Sequence, residues 1–171
     1  MDRSELEREL ERLHSESWGW ALACLGYDRA SAEDALQSAY LRIVSGQARF
    51  DRRSSFRSWL FGVIRYTAME ERRRRARASL RLTTANEGIE AVDPAPAPDV
   101  VTERAERAAL LEAGLAALSV RQREVLQLVF YHGMTIEEAA GVMKVSLGSA
   151  RTHYERGKQA LAQRINQVDV R

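Results

Sequence analysis

All three prolines of this 171-residue chain fall in one short run, Pro94-Ala95-Pro96-Ala97-Pro98. Proline has no backbone N–H and breaks a helix interior. Its confinement leaves residues 1–93 and 99–171 open to long helices. Residues 81–100 also hold Thr83-Thr84 and Gly88 and lack an apolar period, so they read as a partly extended, acidic linker. On either side apolar residues recur three and four apart, and no stretch alternates as a strand would. The expected fold class is therefore all-α: two small helical domains, 1–80 and 101–171, joined by a flexible linker over 81–100. A linker of this kind sets no mutual orientation for the two domains, which should fold separately.

The N-terminal half divides into three helical stretches. Residues 4–27 carry Leu6, Leu10, Leu13, Trp20, Leu22 and Leu25 at near-helical spacing, and Gly26 reads as a stop. Ser31 reads as the cap of a second helix, with Asp34 three residues on and a stripe of Ala32, Leu36, Ala39, Tyr40, Ile43 and Val44. After Gly46 and a polar loop, a long helix shows Phe56, Trp59, Leu60, Val63, Ile64 and Thr67 on one face. Its other face carries Ser58, Gly62, Arg65, Tyr66, Met69 and Arg73. The C-terminal half divides into four helices, about 101–118, 121–131, one begun by a Thr135/Glu138 capping box, and one capped by Ser146 that runs to about Ile165.

Charge is unevenly spread. Residues 1–34 hold nine acids and four bases, residues 49–81 eleven arginines and three acids, and residues 82–114 seven acids and two arginines. A basic block between acidic ones marks an anion-binding surface on one element. The single cysteine, Cys24, cannot form an internal disulfide and suits a reducing compartment. The acidic N-terminus is unlike a signal peptide, and the uncharged stretch Trp18–Tyr27 is too short to span a bilayer. A cytoplasmic location is expected, with no membrane insertion. No Cys/His cluster has metal-ligand spacing, and no nucleophile–base pair or phosphate-binding glycine loop stands out. Neither cofactor, metal nor enzymatic activity is expected.

Residues 118–161 have the form of a helix-turn-helix. The second helix of the pair carries Ser149, Arg151, Thr152, Tyr154, Glu155, Arg156 and Lys158, while Ala150 and Leu161 can face inward. Arginine pairs with guanine, and Thr or Tyr reaches phosphates or a thymine methyl. Lys144 occupies the turn where glycine is usual, a left-handed position that costs a side chain about 1 kcal/mol. In the N-terminal half, arginines stand beside aromatic residues around Phe50–Phe56 and Arg65–Arg75, which is what single-stranded DNA requires. Trp59 reads as core, and Phe56 equally as core or base contact.

Together the halves resemble a known family. Ala32-Glu33-Asp34-Ala35-Leu36-Gln37-Ser38-Ala39-Tyr40-Leu41-Arg42 is similar to region 2.2 of bacterial RNA polymerase sigma factors. Phe50-Asp51 through Ser54-Ser55-Phe56-Arg57-Ser58-Trp59-Leu60 resembles regions 2.3 and 2.4, and residues 118–161 resemble region 4. Regions 2 and 4 with only a short linker resemble the extracytoplasmic function (ECF) group. The resemblance implies a factor that binds core polymerase and directs transcription initiation at a specific set of promoters. Asp34, Gln37, Tyr40 and Leu41 would dock on the β′ clamp helices. Phe50, Arg53, Ser54, Ser55, Phe56, Ser58, Arg65, Tyr66, Met69, Arg72 and Arg73 would open and hold the -10 element. Arg121, Ser146, Ser149, Arg151, Thr152, His153, Tyr154, Arg156 and Lys158 would serve the -35 element, with region 4 also holding the β flap. An anti-sigma factor is a further partner the family implies. Region 4 by itself also resembles a LuxR-type regulator, and Arg151-x-His153 leans that way, so a stand-alone helix-turn-helix regulator is the alternative. Tyr66, Gly62, Lys144 and His153 depart from the family pattern, so contacts to both promoter elements should differ from the family norm.

Overall fold

The computed structural model describes residues 1–83 and 103–169, and these are helical with no strand among them. The helices are α1 (Arg3–Arg12), α2 (His14–Cys24), α3 (Arg29–Val44), α4 (Phe56–Thr83), α5 (Glu103–Ala116), α6 (Val120–Leu126), α7 (Ile136–Met143) and α8 (Leu147–Asp169). A π-helical turn, Gln127–Tyr131, continues α6. Residues 84–102 lie outside the described residues and take in most of the linker expected over 81–100, but α4 runs on through Thr83 into its expected start.

Local chemistry sets most boundaries. The helix expected over 4–27 is divided at Leu13, whose side chain is fully buried and whose backbone leaves helical geometry at φ −95°, ψ 4°. Asp2 caps α1 by accepting from the Glu5 amide at 2.8 Å. The cap of α3 is Asp28, not Ser31: its carboxylate accepts from the Ser31 amide at 3.2 Å and the Ser31 hydroxyl at 2.6 Å. A carboxylate bonded to two first-turn donors is the stronger cap, and Ser31 becomes a buried first-turn residue. The Thr135/Glu138 capping box forms as expected, with bonds of 3.1 and 2.8 Å. Lys144 does adopt the left-handed conformation, φ 55°, ψ 44°, so the turn keeps its usual bend despite the side chain.

In the N-terminal half, α2, α3 and α4 pack around Leu13, Trp20, Leu36, Ile43, Leu60, Phe61 and Ile64. In the C-terminal half, α6, α7 and α8 pack on one another. The halves do not stay apart. Val125, Leu128, Met134, Val142 and Met143 of the second half join the apolar cluster of the first, and α7 lies on α4. This differs from the free mutual orientation expected from sequence. The cause is a specific contact surface on α6, the π turn and α7 that no periodicity within either half could show.

Candidate nucleic-acid interface

The expected polymerase-binding residues separate into two places. Asp34, Gln37 and Leu41 line one groove between α3 and α4, together with Arg42, Glu70 and Arg74. Leu41 is 70% exposed, a large apolar side chain presented to solvent between polar ones. Tyr40 turns the other way, half-buried, with its hydroxyl 3.1 Å from Nδ1 of His14. Three of the four therefore form one surface, and Tyr40 braces α3 against the N-terminal helices.

The basic half is more changed by folding. Phe50, Phe56 and Trp59 form a closed aromatic cluster with ring centroids 5.3–5.4 Å apart. Phe56 thus packs on Trp59, and the rings fill one another instead of leaving an open socket. Beside them a cavity of about 910 Å³ is lined by Arg53, Ser54, Ser55, Ser58, Trp59 and Tyr66. Its opposite wall is Glu138, Gly141, Val142 and Lys144 from α7 and the helix-turn-helix turn. Ser55 caps α4, accepting from the Ser58 amide at 3.1 Å. Tyr66 is exposed, with the Arg42 guanidinium 5.5 Å from its ring centre.

The arginines of α4 split by role. Arg65, expected to meet DNA, is buried, 6% exposed, with Nε 3.1 Å from Oε2 of the fully buried Glu124 on α6. The two lie within ion-pair distance without the alignment of a hydrogen bond. Arg72 is partly buried and donates to the Cys24 carbonyl at 3.3 Å. Arg74 and Arg75 both bind Glu71, holding its carboxyl below the usual range by hydrogen bonding, and Arg75 also reaches Asp28. Arg73 and Arg53 are exposed, and Met69 is half-buried.

The seam between the halves is formed by residues that the sequence pattern does not single out. Arg123 of α6 is buried and donates to the Ala23 carbonyl at 2.6 Å, and to Ala116 and Leu118 carbonyls. Arg57 of α4 donates to the His132 carbonyl at 2.6 Å and pairs with Glu16 at 2.6 Å. The His132 ring packs edge-on against Phe61 at 4.7 Å and Trp20 at 6.2 Å. Burial, reinforced by the charge of Arg57, pushes the imidazole down to about 4. Tyr27 donates to Gln127 at 3.3 Å, its own burial lifting the phenol to about 12. The only sequence signal for this seam was an Arg123-Glu124 pair and a His132 inside an otherwise apolar run.

In the helix-turn-helix, one face of α8 is polar and exposed. Ser146 caps α8, accepting from the Ser149 amide at 3.1 Å and donating to the Ser149 hydroxyl at 2.9 Å, so both expected contacts are first engaged in the cap. Arg121, Arg151, Thr152 and Arg156 are exposed. The Thr152 hydroxyl donates to the Gly148 carbonyl at 3.0 Å. His153 and Tyr154 are half-buried toward the inner side of the helix, where Ala150 and Gly157 are buried. Tyr154 stacks on Phe130 at 5.7 Å, and Lys158 sits 4.6 Å from the Tyr154 ring centre while pairing with Glu155 at 3.2 Å. Among the described residues no cluster suited to a metal occurs, and no helix is long and apolar enough to cross a membrane.

Comparison with known proteins matches these two halves one by one. The family model for Sigma-70 region 2 covers residues 10–78, and that for Sigma-70, region 4 covers residues 108–161. The ECF RNA polymerase sigma factor SigF of Caulobacter vibrioides is 31% identical over 138 residues, 80% of this chain and 72% of that one. SigX of Bacillus subtilis, an ECF RNA polymerase sigma factor, is 28% identical over 136 residues, 78% of this chain and 70% of that one. In fold, the chain resembles the sigma factor RpoE solved with the anti-sigma factor NepR from Bartonella quintana, with a TM-score of 0.76 at 22% identity over 95% of this chain and 97% of that one. It also resembles CnrH solved with the cytosolic domain of CnrY, with a TM-score of 0.64 at 21% identity over 97% and 90%. The region 2 match sets aside the LuxR-like alternative, which accounts for nothing before residue 108. The chain belongs to the sigma-70 family, as an ECF-type RNA polymerase sigma factor that binds core polymerase and directs it to promoters.

Proposed function

We propose that this sigma factor works by opening, and that the closed arrangement is its state before it meets polymerase. The observation that carries this reading is Arg65. A residue in the expected -10 surface is spent on Glu124 of region 4, in a pair buried from solvent on both sides. The wall of α7 across the Ser54–Trp59–Tyr66 cavity supports the same reading, because it stands where an exposed DNA strand would enter. A buried ion pair gains little over apolar packing of the same shape, since its desolvation cost offsets its Coulomb energy. Polar atoms of Glu16, Arg57, Arg65, Glu124 and His132 at this seam also lack aligned hydrogen bonds. A seam of this composition releases its charges to water at modest cost, where an apolar one would not.

In the open form, Asp34, Gln37 and Leu41 dock on the β′ clamp helices and region 4 takes the β flap and the -35 duplex. Arg53, Ser54, Ser58, Tyr66 and Arg73 hold the separated -10 strand, where base extraction costs a few kcal/mol and strand contacts offset it. The chain is divided for this purpose at the linker, into 1–80 and 101–171. It performs no catalysis of its own and acts in the cytoplasm with the polymerase. An anti-sigma partner, of the kind solved with RpoE, would act by keeping the halves from reaching polymerase.

The test is a distance. Cys24 is buried, so dyes placed at Ser45→Cys and Gln163→Cys report the two halves. The free chain should show a single short-distance population, replaced by a longer one on addition of core polymerase. A distance unchanged by core polymerase under saturating binding would refute opening.

A further inference from the structure

We propose that Glu155 reads a cytosine in the -35 duplex, held in place by Lys158. The proposal rests on region 4 of this chain docking α8 in the major groove. Ala150 and Gly157 are buried, and His153, Tyr154 and Lys158 are half-buried, which defines the inward side. Gly148, Thr152, Glu155 and Gln159 recur at three- and four-residue steps on the opposite side, and all four are exposed. Arg151 and Arg156 flank that line. In a docked recognition helix the outward face of the N-terminal turns meets base edges, and the flanks of that face meet phosphates or the groove margin; Glu155, nine residues into α8, is on its third turn. Nothing lies within 4 Å of where a Cβ on Gly148 would stand, so the start of this line allows close approach.

A carboxylate on that face is costly beside phosphates and lowers the general affinity for DNA. Its return is discrimination. It accepts the N4 amino group of cytosine and is repelled by the O6 and N7 of guanine and the O4 of thymine; adenine offers a donor only beside an N7 acceptor. The side chain is also supported. Phe130, 65% exposed, stacks on Tyr154. Tyr154 carries the Lys158 ammonium over its ring, and Lys158 in turn pairs with Glu155 at 3.2 Å. A cation–π contact fixes an otherwise mobile lysine. Lys158, expected from sequence to touch DNA, thus becomes a positioning residue, and the exposed Phe130 has a purpose as the base of the stack.

The experiment uses holoenzyme assembled from the full chain and core polymerase, with duplexes carrying a randomised -35 window, selected and sequenced. The wild-type chain should prefer cytosine at one position. Glu155→Ala should lose that preference by roughly tenfold while other positions keep theirs. Glu155→Gln should move the preference at that same position to adenine, because an amide pairs with adenine N6 and N7. Lys158→Met should weaken the cytosine preference without moving it to another base, and Lys158→Arg should restore it. Identical base preferences in wild type, Glu155→Ala and Glu155→Gln would overturn the proposal, whatever happens to overall affinity. A wild-type selection with no sequence preference in the window would instead overturn the docking of region 4 on which it rests.

Discussion

Arg65 shows how far a residue's role can move between sequence and structure. Its position one helical face from the core stripe reads as a DNA contact, yet the side chain is buried against Glu124. Burying two opposite charges together is close to neutral, but removing one leaves the other desolvated and unpaired, at a cost of about 3–5 kcal/mol. Glu124→Gln should therefore destabilise the closed form by an amount of that order, read by urea titration of the free chain. Arg65→Met combined with Glu124→Leu should bring the closed form to wild-type stability or above it. Equal stability of all three proteins would mean that the pair is not buried in solution. Asp34 and Gln37 are the opposite case, exposed in sequence pattern and in structure alike. Replacing both by Ala should weaken core polymerase binding with the helical circular dichroism signal unchanged, and an unaltered affinity would remove them from that surface.

Among elements, the π turn after α6 has the most consequence. The wider turn shifts the register of the residues that follow. Phe130 and Tyr131 end outward and exposed, while His132 is turned into the seam. An imidazole held down to about 4, against an ordinary 6.5, takes up a proton when the seam opens at a pH between those two values. Its contribution to the closed form is therefore complete above pH 6.5 and is lost as the pH falls toward 4, by roughly 1.4 kcal/mol per unit in that window. Arg57 and Glu16 face the same ring, and the fall should be shallower in His132→Gln. Stability of the free chain measured from pH 7.5 to 4.5 checks this, and identical slopes in the two proteins would exclude His132 as its source. In α4, Arg74 is tied to Glu71, whereas Arg73 is exposed. Arg73→Ala should lower the salt slope of promoter binding by about 1 on a log–log plot, with a smaller change for Arg74→Ala.

At the scale of the whole molecule, the shared core of the two halves makes a locked variant conceivable. Arg65→Met with Glu124→Leu trades a seam that tolerates water for one that does not, so the dyed chain should stay closed on adding core polymerase and initiate poorly. Full initiation by that variant would show that opening is not a barrier. The elements themselves were legible in the residues. Apolar spacing within each half located the helices, and the Thr135/Glu138 box and Ser146 marked the starts of α7 and α8. These are local signals, made by residues three or four apart on the same element. The break at Leu13 and the cap at Asp28 were less legible, because a buried kink and a competing cap depend on what packs around them. So were the fates of Arg65, Arg123 and His132, whose partners lie in the other half of the chain. Periodicity says that a side chain faces away from its own core, not whether another surface will cover it. The sequence by itself determined the helices, the two regions and the chemistry offered to polymerase and DNA. Only the tertiary structure decided which charges remain on offer in the closed chain, because burial is a property of two surfaces meeting and not of either one.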